Sequence, residues 1–92
     1  MLENSSKIIL SQILANGNGL VVTDVLAKIF DENYSVGIFK IYFVDVKVVR
    51  PVDGEKKKVQ ILMKDGREYK LECRNESKRN ELIEIMNERR KG

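Results

Sequence analysis

The 92-residue chain contains no histidine and no tryptophan, and it has a single cysteine and a single proline. Without histidine, the commonest general base and the commonest metal ligand are missing, and one cysteine cannot complete a structural zinc site. The lone thiol, Cys73, cannot form an internal disulfide, which favours a reducing setting such as the cytoplasm. We therefore predict a protein with no catalytic residues, bound metal, cofactor or small-molecule substrate.

Long apolar runs are also absent. The longest, 36–44, contains Gly37 and Lys40 and is much shorter than the roughly 18–20 residues that cross a bilayer. The N-terminus has neither the basic start nor the apolar stretch of a secretory signal. With 42% hydrophobic and 34% charged residues, the composition is typical of a folded protein, and the length predicts one domain over residues 1–92.

The net charge of +3 is unevenly distributed along the chain. Residues 1–46 contain three basic and five acidic side chains, whereas residues 47–92 contain fourteen and nine. A basic C-terminal half favours an anionic partner. The candidate anion or nucleic-acid patch consists of Arg50, Lys56, Lys57, Lys58, Arg74, Lys78 and Arg79. The other interpretation is a solvated sheet edge whose lysines oppose sheet-to-sheet association.

Apolar residues recur in pairs near the N-terminus. Ile9 and Leu10 are followed by Ile13 and Leu14, and the same spacing continues from 21 to 30. This i, i+1, i+4, i+5 pattern predicts two short helices separated by a turn at 16–19. Residues 20–23 are rich in β-branched side chains and also fit a strand, so the choice between helices and strands for 7–30 stays open.

The next segment is aromatic and β-branched, as expected of a strand. Its apolar residues change phase: Phe39, Ile41 and Phe43 are odd-numbered, whereas Val44 and Val46 are even-numbered. We expect a bulge or a sharp bend near Phe43–Val44, because one extra residue rotates a strand in this way.

Two turns predict a three-stranded antiparallel meander. A two-residue loop at Asp53-Gly54 would pair residues on one apolar face, namely Val48 with Val59, Val46 with Ile61 and Val44 with Met63. A three-residue loop ending on a left-handed Gly66 would pair Ile61 with Tyr69 and Val59 with Leu71.

The chain closes with a helix predicted over 77–90, whose apolar stripe of Leu82, Ile85 and Met86 should cover this face. The predicted fold class is therefore α+β, with two N-terminal helices, the antiparallel meander and a C-terminal helix packed on the sheet. The predicted core consists of Val46, Val48, Val59, Ile61, Tyr69, Leu71, Leu82, Ile85 and Met86.

Two families resemble parts of this pattern. Two helices followed by a basic hairpin resemble a winged helix-turn-helix domain, but 36–45 has only Lys40 where a basic or polar recognition helix belongs. The segment 58–69 with its following helix is similar to the end of a pleckstrin-homology-type domain, and 19–24 fits that family as well. This second resemblance implies strands in place of the two predicted helices. Neither pattern assigns the chain to a family.

The function that the sequence favours is that of a small non-enzymatic protein-interaction domain, an adaptor or a regulator. Self-association as a homodimer is part of this expectation, because an exposed aromatic strand is an aggregation hazard that a symmetric partner removes. The candidate self-association residues are Phe39, Ile41, Tyr42 and Phe43. The competing expectation is that the first two segments cover this strand within one chain. The alternative function is sequence-nonspecific nucleic-acid binding through the basic C-terminal half.

Overall fold

The computed structural model describes residues 7–33 and 36–91, which form two antiparallel sheets and one C-terminal helix. A four-stranded sheet has the order β1-β2-β3-β4, and a three-stranded sheet has the order β5-β6-β7. The strands are β1 (Ile8–Ile13), β2 (Gly19–Thr23), β3 (Leu26–Phe30), β4 (Gly37–Tyr42), β5 (Val46–Val52), β6 (Glu55–Met63) and β7 (Glu68–Glu72). A 3₁₀ turn, Phe43–Asp45, joins the two sheets, and the helix α1 spans Glu76–Lys91.

The prediction of two N-terminal helices is wrong, since β1, β2 and β3 occupy those segments. The reason lies in the outer surface of the sheet. Leu10 packs against the core and Leu14 is buried, while their neighbours Ile9 and Ile13 are apolar but exposed. When both faces of a strand are apolar, the alternation that marks a strand disappears and adjacent apolar pairs remain.

Thr23 provides the local chemistry that ends β2 and starts β3. Its Oγ1 accepts hydrogen bonds from the N–H groups of Val25 and Leu26, each at 3.2 Å. These are the contacts that a threonine makes when it caps a helix, but here the chain reverses into a hairpin. Thr23 therefore favours a turn at this position, and the helix predicted after it does not form.

The buried side chains of both sheets and of α1 form one core. Six of the nine predicted core residues are buried: Val46, Val59, Ile61, Leu71, Leu82 and Met86. Tyr69 and Ile85 are half-buried against the same cluster. Val48 is the exception, because β5 changes phase and buries Val49 in its place.

The prediction of the meander is confirmed in its second turn. Ile61 pairs with Tyr69 and Val59 with Leu71, as the three-residue loop requires. Gly66 has φ +96°, and its N–H donates to the carbonyl oxygen of Met63 at 3.0 Å. Glycine adopts this left-handed backbone without the steric cost that a side chain would impose.

The first turn of the meander agrees with the prediction only at its tip. Val52 pairs with Glu55 across Asp53-Gly54, as predicted, but Val49 rather than Val46 then pairs with Ile61. The register shifts between Pro51 and Val52, where β6 carries extra residues. Proline has no N–H to donate to the ladder, so a shift at this point is physically reasonable.

The expected bend near Phe43–Val44 is confirmed, and it takes the form of the 3₁₀ turn. Ile41 and Phe43 are buried before the turn and Val46 is buried after it, whereas Val44 is 73% exposed. Val46, not Val44, pairs with Met63. The 3₁₀ turn therefore lets the continuous segment 41–46 contribute buried side chains to the core from both sheets.

Candidate functional site

Exposed large hydrophobic side chains are concentrated on the four-stranded sheet. Of the eight in the described ranges, seven belong to this sheet or its loops: Ile8, Ile9, Ile13, Val25, Val36, Ile38 and Tyr42. Ile8 is 63% exposed and Val36 60%. The eighth, Val44, lies in the adjoining 3₁₀ turn, and the described three-stranded sheet contributes none.

The alternation of the strands assigns these side chains to the outer surface of the sheet. Gln12, Ala27, Ile29 and Ile41 are buried beneath it, so their strand neighbours point outward. We call this outer surface the apolar sheet face, formed by Ile9, Ile13, Leu26, Lys28, Phe30, Ile38, Lys40 and Tyr42. It combines aliphatic and aromatic side chains with two lysines.

The two lysines lie directly opposite each other, because Lys28 of β3 pairs with Lys40 of β4. The Lys28 ammonium lies 4.8 Å from the centre of the Phe30 ring. A Cβ at Gly37 would stand 2.8 Å from Lys28 Cε, so glycine leaves the space in which Lys28 lies. No described carboxylate pairs with either lysine. Like charges directly opposite each other on a sheet are destabilising, and the Phe30 ring beside Lys28 offsets this repulsion only in part.

The outer surface of the three-stranded sheet has the opposite character. Arg50 Nε donates to Gln60 Oε1 at 2.8 Å, and Gln60 Nε2 donates to Glu68. Lys70 forms an ion pair with the same Glu68 at 3.7 Å. These polar groups satisfy one another, so this surface offers neither an apolar patch nor an unpaired charge cluster.

Two of the predicted self-association residues are not on the surface. Ile41 and Phe43 are 1% and 3% exposed and belong to the core. Phe39 is half-buried and stacks on Tyr69, and only Tyr42 is exposed. The expected cover by the N-terminal segments is not what the structure shows: β3 pairs with this strand along its edge, and Tyr69 of β7 packs on Phe39 across it.

Three of the predicted basic patch residues, Lys56, Lys57 and Lys58, lie at the start of β6. Lys57 Nζ is 3.9 Å from a Glu72 carboxylate oxygen, and Lys58 Nζ is 3.8 Å from one of Glu55. Acidic neighbours therefore balance two of the three lysines, and exposed ion pairs of this kind add little stability.

Most of the other patch residues border the same end of β6. Arg79 is only 8% exposed, donates to the carbonyl oxygen of Glu55 and pairs with Glu76 at 3.7 Å. The Cys73 N–H donates to the carbonyl oxygen of Lys57 at 2.8 Å, so Arg74 lies beside these lysines, and Arg74 and Lys78 are both exposed at the start of α1. Arg50 lies apart, on the outer surface of the three-stranded sheet. Whether these basic residues bind an anion stays a prediction.

The chemistry of Cys73 agrees with its interpretation as a small buried hydrophobe. The residue has no solvent exposure, and burial raises the pKa of its thiol. A thiol held neutral in this way is a poor nucleophile. Residues 7–33 and 36–91 contain no group of three or more acidic or cysteine side chains placed to hold a metal ion. No helix among them is long and apolar enough to span a membrane.

No family model and no curated protein sequence matches the chain, but solved structures share its fold. The linker-DH/PH domains of p115-RhoGEF are 14% identical with a TM-score of 0.79, covering 94% of this chain and 28% of that one. The complex of human RhoA with a DH/PH fragment of PDZRHOGEF gives 15% identity and a TM-score of 0.77, covering 95% and 29%. The chain thus spans less than a third of the structures that it matches.

The likeness to these structures defines the fold class: this is a small antiparallel domain with a pleckstrin-homology-like fold. The similarity of 58–69 and the following helix to the end of such a domain agrees with it. Sequence identity this low shows the fold alone, so function must be argued from the surfaces of this chain.

Proposed function

We propose that the chain is a non-enzymatic interaction module that binds a protein partner through the apolar sheet face. The observation that carries this proposal is a group of exposed apolar side chains on one sheet surface, around Lys28 and Lys40. Neither lysine forms an ion pair with a described carboxylate. Large exposed apolar patches rimmed by polar groups mark interaction sites on the surfaces of proteins. The shared fold supports this role, because one of the solved structures with this fold is a DH/PH fragment bound to another protein, RhoA.

The charges on the face favour a partner that brings acidic side chains together with apolar ones. A carboxylate placed between Lys28 and Lys40 would turn their repulsion into two attractive contacts. A second copy docked by the same face would instead bring four lysines close to one another. Charge therefore disfavours a homodimer at this surface and favours a different protein.

Nucleic acid is less well matched by the described surfaces. Several basic residues of the C-terminal half meet where β6 and α1 begin, but acidic neighbours balance Lys57, Lys58 and Arg79. On the apolar sheet face, the Phe30 ring that would stack on a base is covered by Lys28. A cytoplasmic location belongs to the same proposal, because the single cysteine needs no oxidising compartment.

The test is site-specific photo-crosslinking in the native host. A photoreactive residue at Ile38 on the four-stranded sheet should capture a defined protein, and the same residue at Glu68 on the other sheet should not. The captured protein is then purified and titrated by calorimetry against the full chain. Lys40→Glu should weaken binding by at least about tenfold, whereas the exposed control Lys47→Glu should leave it unchanged.

Four outcomes would contradict the proposal. Equal capture from Ile38 and Glu68 would show that the apolar sheet face is not the binding site. Identical affinities of Lys40→Glu and wild type for the captured protein would show the same. Saturable binding to anionic vesicles or to single-stranded RNA, without any captured protein, would assign the face to those ligands. A dimer in sedimentation equilibrium that Ile38→Glu abolishes would replace the foreign partner with a second copy.

A further inference from the structure

A shallow groove runs between β1 and the start of α1. One wall is a stretch of β1 and the other is the segment that begins the helix; the lining residues are Ser11, Gln12, Ile13, Arg74, Asn75 and Lys78. In the described residues β1 pairs with β2 alone. Its second edge therefore carries unpaired backbone N–H and C=O groups along this groove.

Gln12 forms the floor of the groove and is only 5% exposed. Its Nε2 donates to the carbonyl oxygen of Lys78 at 3.0 Å, which places the amide against the first turn of α1. Its Oε1 is buried and has no hydrogen-bond partner among the described residues. A buried acceptor without a donor is unfavourable, so a donor brought by a ligand would be stabilised here.

The opposite wall is positively charged. Arg74 and Lys78 are exposed, and neither pairs with a described carboxylate. The Asn75 side chain accepts from the Lys78 N–H at 2.8 Å, so the groove reaches the capped N-terminus of α1. This end of a helix attracts anions, and two free cations beside it strengthen the attraction.

We propose that this groove binds an extended acidic segment of a protein, which adds as a strand to the free edge of β1. Its backbone pairs with β1 and supplies N–H donors at the floor, while its carboxylates face Arg74 and Lys78. Strand addition of this kind takes affinity from main-chain hydrogen bonds and specificity from alternate side chains. The charges of the groove exclude a basic segment, and the buried acceptor favours a ligand with N–H donors over a bare anion.

The experiment uses a capped hexapeptide of alternating glutamate and threonine, titrated into the ¹⁵N-labelled full chain. Saturable shifts should appear at Ser11, Gln12 and Ile13 and at Lys78. The Arg74→Ala/Lys78→Ala double variant should weaken binding by roughly tenfold, since two charge-assisted contacts are lost. Arg50→Ala, on the outer surface of the three-stranded sheet, is the matched control and should bind like wild type.

Two further probes separate strand pairing from simple charge attraction. An N-methylated form of the hexapeptide keeps its charges but loses amide donors, and it should bind at least about tenfold more weakly. A lysine–threonine hexapeptide should not bind. Equal binding of the methylated peptide, or shifts that inorganic phosphate reproduces, would overturn the proposal in favour of an anion site, and no saturable shift at millimolar peptide would overturn it outright.

The groove stands independently of the apolar sheet face. Lys40→Glu should bind the acidic hexapeptide like wild type, while Arg74→Ala/Lys78→Ala should keep the affinity for the protein captured at Ile38. If only Lys40→Glu behaves as expected, only the apolar sheet face is supported. If only Arg74→Ala/Lys78→Ala does, only the groove is supported.

Discussion

The Phe39 ring of β4 stacks on the Tyr69 ring of β7, with centroids 5.2 Å apart and planes inclined by 19°. This contact joins one sheet to the other, and aromatic pairs of this geometry add stability beyond the area that they bury. Phe39→Ala should lower the free energy of unfolding by about 1–3 kcal/mol in urea titrations. Tyr42→Ala, three residues away on the outer surface, should stay within about 0.5 kcal/mol of wild type.

The same stack determines how self-association must be tested. Because Phe39 packs within its own chain, Phe39→Glu is expected to unfold the protein and cannot report on a dimer. Ile38→Glu changes a side chain that is 50% exposed, so it should leave the stability nearly unchanged. A large loss of stability in Ile38→Glu would show that the outer surface is assigned wrongly.

Leu71 tests the core, since it is 7% exposed and pairs with the fully buried Val59. Leu71→Ala should destabilise the fold by about 2–5 kcal/mol, the cost of removing buried methyl groups and leaving a cavity. The control is Leu62→Ala, because Leu62 is half-buried on the other face of β6 and its loss should cost less. Equal effects of the two substitutions would contradict the assignment of the buried face.

Lys40→Glu should make the isolated chain more stable, not less. The substitution replaces a like-charge pair across β3 and β4 with an attractive pair, which is worth about 0.2–1 kcal/mol. The gain should shrink at high salt, as expected of an exposed electrostatic contact. Urea titrations at two salt concentrations measure both effects, with Lys47→Glu as the control. Higher stability together with weaker partner binding would show that the pair is retained for function.

Gly66 and Gly54 both have left-handed backbones, with φ of +96° and +79°. A Cβ at either position would meet no atom within 4 Å, so a substitution changes only the backbone energy. Gly66→Ala and Gly54→Ala should each cost about 1–2 kcal/mol in thermal or urea unfolding. An unchanged stability for either variant would contradict the turn geometry described above.

Cys73 should be unreactive in the folded protein. Because burial raises the pKa of its thiol, the fold favours the neutral form. The contribution of the neutral thiol to the free energy of unfolding is complete below the pKa of Cys73 in the unfolded chain. It is lost as the pH rises through the pKa of Cys73 in the folded protein. At pH 8 the native protein should therefore react slowly with a thiol reagent, and urea should accelerate the reaction. Glu72→Cys in a Cys73→Ala background supplies an exposed thiol that should react at once.

The elements that the sequence predicted correctly have one apolar and one polar side. The second meander turn, its register and the C-terminal helix belong to this group. Leu71 is buried between exposed polar neighbours, and Leu82 of the helix is buried while Glu81 and Glu84 are exposed. The first two segments lack that contrast. Ile9 and Ile13 make the outer surface of β1 apolar, so the residues that misled the helix prediction are the ones that form the proposed binding face. A local rule fails here because these positions are apolar on both sides of the strand, which the proposed binding face would account for.

The groove was beyond prediction for a different reason. Gln12 and Lys78 are 66 positions apart, and only the closed fold brings the amide to the helix. Arg74 and Lys78 appeared among the candidate basic residues, but composition could not separate them from the lysines that acidic neighbours balance. Pairing in three dimensions makes that distinction.

The hydrogen bond between Gln12 and Lys78 also has a kinetic consequence. β1 can pair with β2 as a local hairpin, but its bond to α1 must wait for the helix. The same holds for Ala15, whose N–H donates to the carbonyl oxygen of Glu72 at 2.9 Å. Because loop closure over such distances costs entropy, we expect the first strand to be fixed to the rest of the domain late in folding.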